Sequence, residues 1–195
     1  MQATFHITAA TIPEKVTITT SVGEMMVQSD VYGPILEKLG GGPLALEEIA
    51  KLAVFKGATH ANVMQTVMMM MQTGLIALAP RVAMAPMTGQ RFNGVIARLA
   101  SEGSPYEALA APVLASALPA SDIDCMLVDS HLTDNARDEA ALADGLRRRL
   151  KGLGRSLTRE GKRLEDKAAD KRLGELAAGF LSTDLPRWQR LGALA

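Results

Sequence analysis

The chain has 195 residues, enough for one domain or two small ones. Hydrophobic residues make up 48% and charged residues 22%, which excludes a disordered or fibrous chain, and aromatics at 4% leave the core to Ala, Leu and Met and favour helix over sheet. Twenty-one Lys and Arg balance twenty-one Asp and Glu, so no net charge draws the molecule to nucleic acid or an anionic membrane, and a single cysteine excludes an internal disulfide framework.

The stretch before Lys15 alternates polar and apolar residues, unlike a secretory leader. The most apolar long segment, 108–120, is broken by Pro112 and Pro119 and is too short to cross ~30 Å of hydrocarbon. The expectation is a cytoplasmic protein with no membrane span. Residues 15–28 carry the alternating Val16, Ile18 and Thr20, then Val22-Gly23-Glu24, where Gly23 suits a tight turn; this reads as a short hairpin. Ser29 or Asp30 caps a helix to about Leu39, with Val31, Ile35, Leu36 and Leu39 at helical spacing, and Gly40-Gly41-Gly42-Pro43 stops it. Residues 44–53 predict an amphipathic helix of about three turns, Lys56-Gly57 a turn, and 59–73 a longer helix with Gly74 at its C′ position. Residues 75–78 predict a strand, and Val82-Ala83-Met84 returns antiparallel to it. This is the order of a winged helix-turn-helix over 29–87.

Beyond Gln90, the residues Phe92, Val95, Ile96 and Leu99 form one helical stripe, Gly103-Ser104-Pro105 breaks it, and 108–120 runs extended. Ser121-Asp122 caps a helix to Leu132, and Thr133-Asp134 caps another to Leu150. Gly152 and Gly154 separate it from a tight turn at Arg159-Glu160-Gly161-Lys162, and a last helix covers 166–184, with Leu173, Leu176, Ala177, Phe180 and Leu181 on one face and Pro186 ending or kinking it. The expected fold is mainly α with small β-ribbons. It comprises an N-terminal strand or hairpin segment (1–28), a winged-helix-like domain (29–87) and a helical C-terminal domain (88–195).

Charge is segregated. Residues 101–144 hold nine acids and one base, whereas 145–172 hold eleven bases and four acids. The balanced total favours helix faces that cancel each other or meet solvent. In the alternative, Arg147, Arg148, Arg149, Lys151 and Arg155 form a patch for a phosphate-bearing or acidic partner.

Catalytic signatures are sparse. Gly152-Leu153-Gly154 is the nearest approach to a dinucleotide-binding turn but follows an arginine-rich helix and lacks a third glycine. There is no phosphate-cradling P-loop and no Gly-x-Ser-x-Gly elbow. His6, His60 and His131 stand far apart without metal-ligand spacing. Cys125 precedes His131 by six residues, nearer opposite faces of a helix than one face, and reads as a buried structural thiol. Asp122 and Asp124 are explained by capping. No catalytic, cofactor-binding or metal-ligating residue is assigned; the competing reading is a small enzyme using Cys125 or the Asp122 and Asp124 pair.

In the 59–73 helix, Met64, Val67, Met68 and Met71 form an inward stripe, while Met69 and Met70 fall off it as candidates for an adaptable contact surface. The outward residues, drawn from His60, Asn62, Gln65, Thr66, Met69 and Gln72, include no Arg or Lys. Only Lys51, Lys56 and Arg81 lie near enough to meet phosphates, so although Asn62 or Gln65 could read adenine, DNA binding is not the expected role.

Taken in order, Val31-Tyr32-Gly33-Pro34-Ile35-Leu36-Glu37-Lys38-Leu39, Leu46-Glu47-Glu48-Ile49-Ala50, Gln72-Thr73-Gly74-Leu75-Ile76, Arg91-Phe92-Asn93, Leu109-Ala110-Ala111-Pro112-Val113 and the tail from Phe180 through Pro186 and Trp188 to Gly192 resemble a known family. The likeness is to the C-terminal, non-catalytic part of bacterial S-adenosylmethionine (SAM)-dependent methyltransferases that carry a methyltransferase regulatory domain. It implies an accessory or substrate-presenting module that acts by contact. Its partner would be a catalytic domain in cis or trans, and SAM would be bound only by that domain, since the cofactor loop is not in this sequence. A homo-oligomer is the other association considered, and the alternative function is a winged-helix DNA-binding transcriptional regulator. Trp188, with Phe180 and Leu191, is expected to dock the tail onto the body or to anchor an interface.

Overall fold

A computed structural model describes residues 3–9, 11–20, 23–80, 86–159 and 161–195. The chain divides into one unit of residues 1–83 with 113–115 and another of 84–112 with 116–195. The protein is mainly α with small antiparallel sheets.

In the first unit, β1 (Thr4–Ile7) turns Phe5 and Ile7 inward at the two-residue period of a strand. The hairpin β2 (Lys15–Thr20) and β3 (Gly23–Gln28) runs in register from Lys15 opposite Gln28 to Thr20 opposite Gly23. Gly23 is thus the first residue of β3, and Val22 of the expected turn lies outside the described residues. α1 (Ser29–Gly40) buries Tyr32, Ile35, Leu36 and Leu39, one stripe at helical spacing, and the Tyr32 hydroxyl donates to the Pro13 carbonyl at 2.7 Å.

The helix expected over 44–53 is shorter than its apolar spacing suggests. Leu44 and Ala45 form β4 (Leu44–Ala45) against β1, α2 (Leu46–Ala50) follows, and a 3-10 turn at Ala53–Phe55 completes the stretch. α3 (His60–Gln72) starts at a reciprocal cap: the Asn62 N–H donates to Thr59 Oγ1 at 3.3 Å and the Thr59 N–H to Asn62 Oδ1 at 3.1 Å. Gly74, at φ +71°, ends the helix, with the Leu75 N–H bonded to the Met70 carbonyl. β5 (Ile76–Leu78) pairs with β1, Ile7 opposite Ile76. β1 is therefore the central strand of the three, between β4 and β5. The return strand expected at Val82-Ala83-Met84 lies outside the described residues.

The methionine stripe is rotated from its expected position. Val63, Val67 and Met70 face the core, Met70 at 2% exposure, while Met68 is 64% exposed. Met64 and Met71 are half-buried on its flanks.

In the second unit, α4 (Pro86–Ser101) buries Asn93, Ile96, Ala97 and Ala100. Phe92 and Val95, expected inward, are exposed at 55% and 56%. α4 packs on α5 (Asp122–Thr133), and its inward line is the one rich in small residues, which lets the two backbones approach. Between them the Ala-rich segment forms a hairpin, β6 (Ala108–Ala111) with β7 (Ser116–Pro119), Leu109 opposite Leu118. α5 has a capping box: the Asp124 N–H donates to Ser121 Oγ and the Ser121 N–H to Asp124 Oδ2.

α6 (Glu139–Gly152) is capped by Asp138, which accepts from the Ala141 N–H at 2.8 Å. Thr133 and Asp134, expected in that role, instead close α5, and Asn135 at φ +52° turns the chain between the helices. After the small hairpin of β8 (Thr158–Arg159) and β9 (Lys162–Arg163) comes α7 (Asp166–Gly179). A π turn at Phe180–Asp184 then leads into α8 (Leu185–Arg190). Pro186 has no N–H to give the Ser182 carbonyl, so the α ladder cannot continue through it and the turn widens. Phe180 and Trp188 meet edge to face, ring centroids 5.7 Å apart.

Candidate functional site

The basic series of α6 lies against acids of its own unit. Arg147 bonds Asp144 at 2.6 Å and Asp170 of α7 at 2.8 Å, and Arg148 reaches Asp134 at 2.8 Å. Arg149 bridges Asp129 at 2.7 Å and Asp134 at 2.8 Å, and Arg155 pairs with Asp122. The acidic run thus meets Arg147, Arg148, Arg149 and Arg155 along α5 and α6, while the pair to α7 joins two residues of the basic stretch itself. The Asp129 and Arg149 side chains are 8% and 12% exposed, so this pair is an internal tie between α5 and α6. Burial works against the Arg149 charge, but hydrogen bonds to Asp134 and Asp129 outweigh it and hold its pKa above the usual value. Arg149 in turn holds the Asp134 carboxyl below its ordinary range, against burial and with help from Arg148. Lys151 is exposed and joins no ion pair among the described residues.

The groups weighed for catalysis are placed structurally. Cys125 is buried, its thiol 3.9 Å from the Tyr106 carbonyl. Burial pushes its pKa up to about 11, with Asp124 and Asp122 adding in the same direction, so near neutral pH it is a thiol and not a thiolate. His131 is also buried: Nδ1 donates to the Ala136 carbonyl at 3.0 Å, the Arg137 guanidinium sits against the ring, and Phe180 meets it edge-on at 5.8 Å. Burial holds its pKa below the usual value, Arg137 adds to this, and the Ala136 bond opposes it. Asp124 is held in the cap of α5 and Asp122 by Arg155. Among the described residues no group of three or more His, Cys, Asp or Glu is arranged to hold a metal ion.

Of the other contact candidates, Met69 is half-buried on α3, whereas Met70 lies in the core and presents no surface. Trp188 is buried at 1% exposure and fastens the tail to its own unit. Sequence reasoning missed the role of Asn93. Its amide donates to the Ala110 and Ala193 carbonyls at 2.8 and 2.9 Å, and its oxygen accepts from the Ala110 N–H at 2.7 Å. Gln90, one turn earlier, donates to the Leu194 carbonyl at 3.1 Å. One helix thereby ties down both β6 and the C-terminal segment. The signal available was a polar residue within the helix's apolar line, inside Arg91-Phe92-Asn93.

The chain is 26% identical over 177 residues to the "Uncharacterized protein sll1526" of Synechocystis sp. (strain PCC 6803); the match covers 88% of this chain. The chain spans about a third (34%) of the length of that relative. No family model and no solved structure matches it. Among the described residues no helix is long and apolar enough to cross a membrane.

Proposed function

We propose that this chain is an accessory, regulatory or substrate-presenting module of a SAM-dependent methyltransferase. It acts by contact with a catalytic domain in cis or trans, in the cytoplasm. The observation that carries the reading is the extent of the match to the Synechocystis protein: most of this chain corresponds to only 34% of that one, which leaves room there for a further domain. The test is to capture the native gene product from its source cells, label it with photoreactive SAM and measure intact masses. The expected result is a SAM-labelled species that either contains this sequence or co-purifies with it in fixed stoichiometry. Absence of labelled protein in both positions would overturn the reading.

The element order α1, β4, α2, α3, β5 favours a second reading, a winged-helix regulator. Against it, His60, Asn62, Gln65, Met69 and Gln72 on α3 supply no positive charge.

A further inference from the structure

Beyond the ion pairs, the second unit contains an open cleft of about 450 Å³ that the methyltransferase reading does not use. Its walls follow from local chain chemistry. Gly154, at φ +63°, closes α6, and the Arg155 N–H bonds back to the Leu150 carbonyl, so that 155–157 folds over the helix end. The Leu164 N–H bonds to the Leu157 carbonyl at 2.9 Å, which closes the β8 and β9 hairpin as a second wall. The first two turns of α7 form the third.

The lining has two characters. Leu150, Leu157, Leu164 and Leu173 give it an apolar interior, Leu150 and Leu173 being buried. Around them stand four bases, Arg147, Lys151, Arg155 and Arg163, and two acids, Asp166 and Asp170. Arg147 and Arg155 are engaged by Asp144, Asp170 and Asp122. Lys151 and Arg163 are exposed and have no ion pair among the described residues, and both border the same apolar interior. The volume is within the range of small-molecule sites, about 300–1,000 Å³.

We infer that this cleft binds a small amphipathic anion, an organic phosphate or carboxylate whose apolar body rests on the leucines while its charged group meets Lys151 and Arg163. The inference stands on the cleft alone and is independent of any methyltransferase partner. A polyanion would need a continuous basic track, whereas here the remaining bases of α6 are paired with acids.

Equilibrium dialysis of the purified full chain against 1-naphthyl phosphate tests it. The expected result is saturable one-site binding, with inorganic phosphate and 1-naphthol each at least about tenfold weaker because each offers half of the recognition. Lys151→Glu with Arg163→Glu, both on exposed side chains, is expected to weaken 1-naphthyl phosphate at least about tenfold. Far-UV circular dichroism and the urea midpoint should be unchanged. Lys162→Glu with Lys167→Glu, nearby lysines outside the lining, is expected to leave binding within about twofold. No saturable binding, binding that survives the first pair of substitutions, or equal weakening by both pairs would overturn the proposal. The last result would mean diffuse attraction to a basic region.

Discussion

Asn93 shows how one buried amide can organise a unit. Its three bonds go to backbone groups of β6 and of residue 193, and an alanine there would leave an N–H and two carbonyls without their partner. Asn93→Ala is expected to destabilise the second unit by about 3 kcal/mol, measured by urea unfolding with the fluorescence of Trp188, the chain's one tryptophan. A loss below about 1 kcal/mol would mean that water restores the bonds. His131 and Asp134 each contribute to the response to acid. Because burial and Arg137 hold the folded-state pKa of His131 below its unfolded value, the fold binds fewer protons there. Its contribution is complete above about pH 6.5 and is lost as the pH falls from there through the folded-state pKa. Asp134 has the same sign in a lower window: its contribution is complete above about pH 4 and is lost as the pH falls through its depressed pKa. Asp184 works in the opposite sense near that lower window, since burial and then Asp124 hold its carboxyl above the usual pKa. Urea titrations from pH 7 downward should therefore show an upper stage of weakening from His131, above the range in which Asp134 and Asp184 offset each other. His131→Asn, whose amide can keep the bond to Ala136, should remove the upper stage alone, and an unchanged upper stage would contradict this account.

Among the helices, the legible features were those written within a few residues. Ser121 with Asp124, and Gly74 after the methionine run, each fix an end by contacts three to five residues away, and the structure has them where periodicity and capping put them. Which side of a helix turns inward was less legible. On α4 the line through Asn93, Ala97 and Ala100 is buried although Phe92 and Val95 are the more hydrophobic, because a neighbouring helix selects small residues for close approach. Glycine at such contacts has a testable meaning. A Cβ on Gly145 would lie 2.5 Å from Ser130 Oγ and 2.8 Å from its Cβ, so α5 would have to shift. A Cβ on Gly94 meets only Leu132 Cδ1 at 3.7 Å, an ordinary contact. Gly145→Ala is expected to cost about 1–3 kcal/mol, while Gly94→Ala should gain about 0.5–1 kcal/mol from helix propensity. Thermal unfolding of the two variants measures the difference in sign, and equal shifts would refute the packing argument.

Over the whole molecule, zero formal charge conceals an acidic stretch and a basic one, and four arginines of the basic stretch pair with acids of the other inside the second unit. This cancellation was legible because the opposite runs are adjacent in sequence, whereas the cleft needed Lys151 and Arg163 brought together by a hairpin that spacing alone could not place. The chain is accordingly expected to show no sequence-selective affinity for duplex DNA at 50 mM salt, measured by fluorescence anisotropy; tight binding that falls steeply with added salt would restore the regulator reading. The position of β1 carries a consequence in time. The sheet's central strand is made first and its partner β5 much later, with 66 residues separating Thr8 from the Gly74 carbonyl that its hydroxyl contacts. At about 5–20 residues per second, a ribosome leaves that strand waiting for roughly 3–13 seconds. Throughout that interval Phe5 and Ile7 have no β5 to pair with, so the earliest part of this unit to be synthesised is among the last to be locked into place.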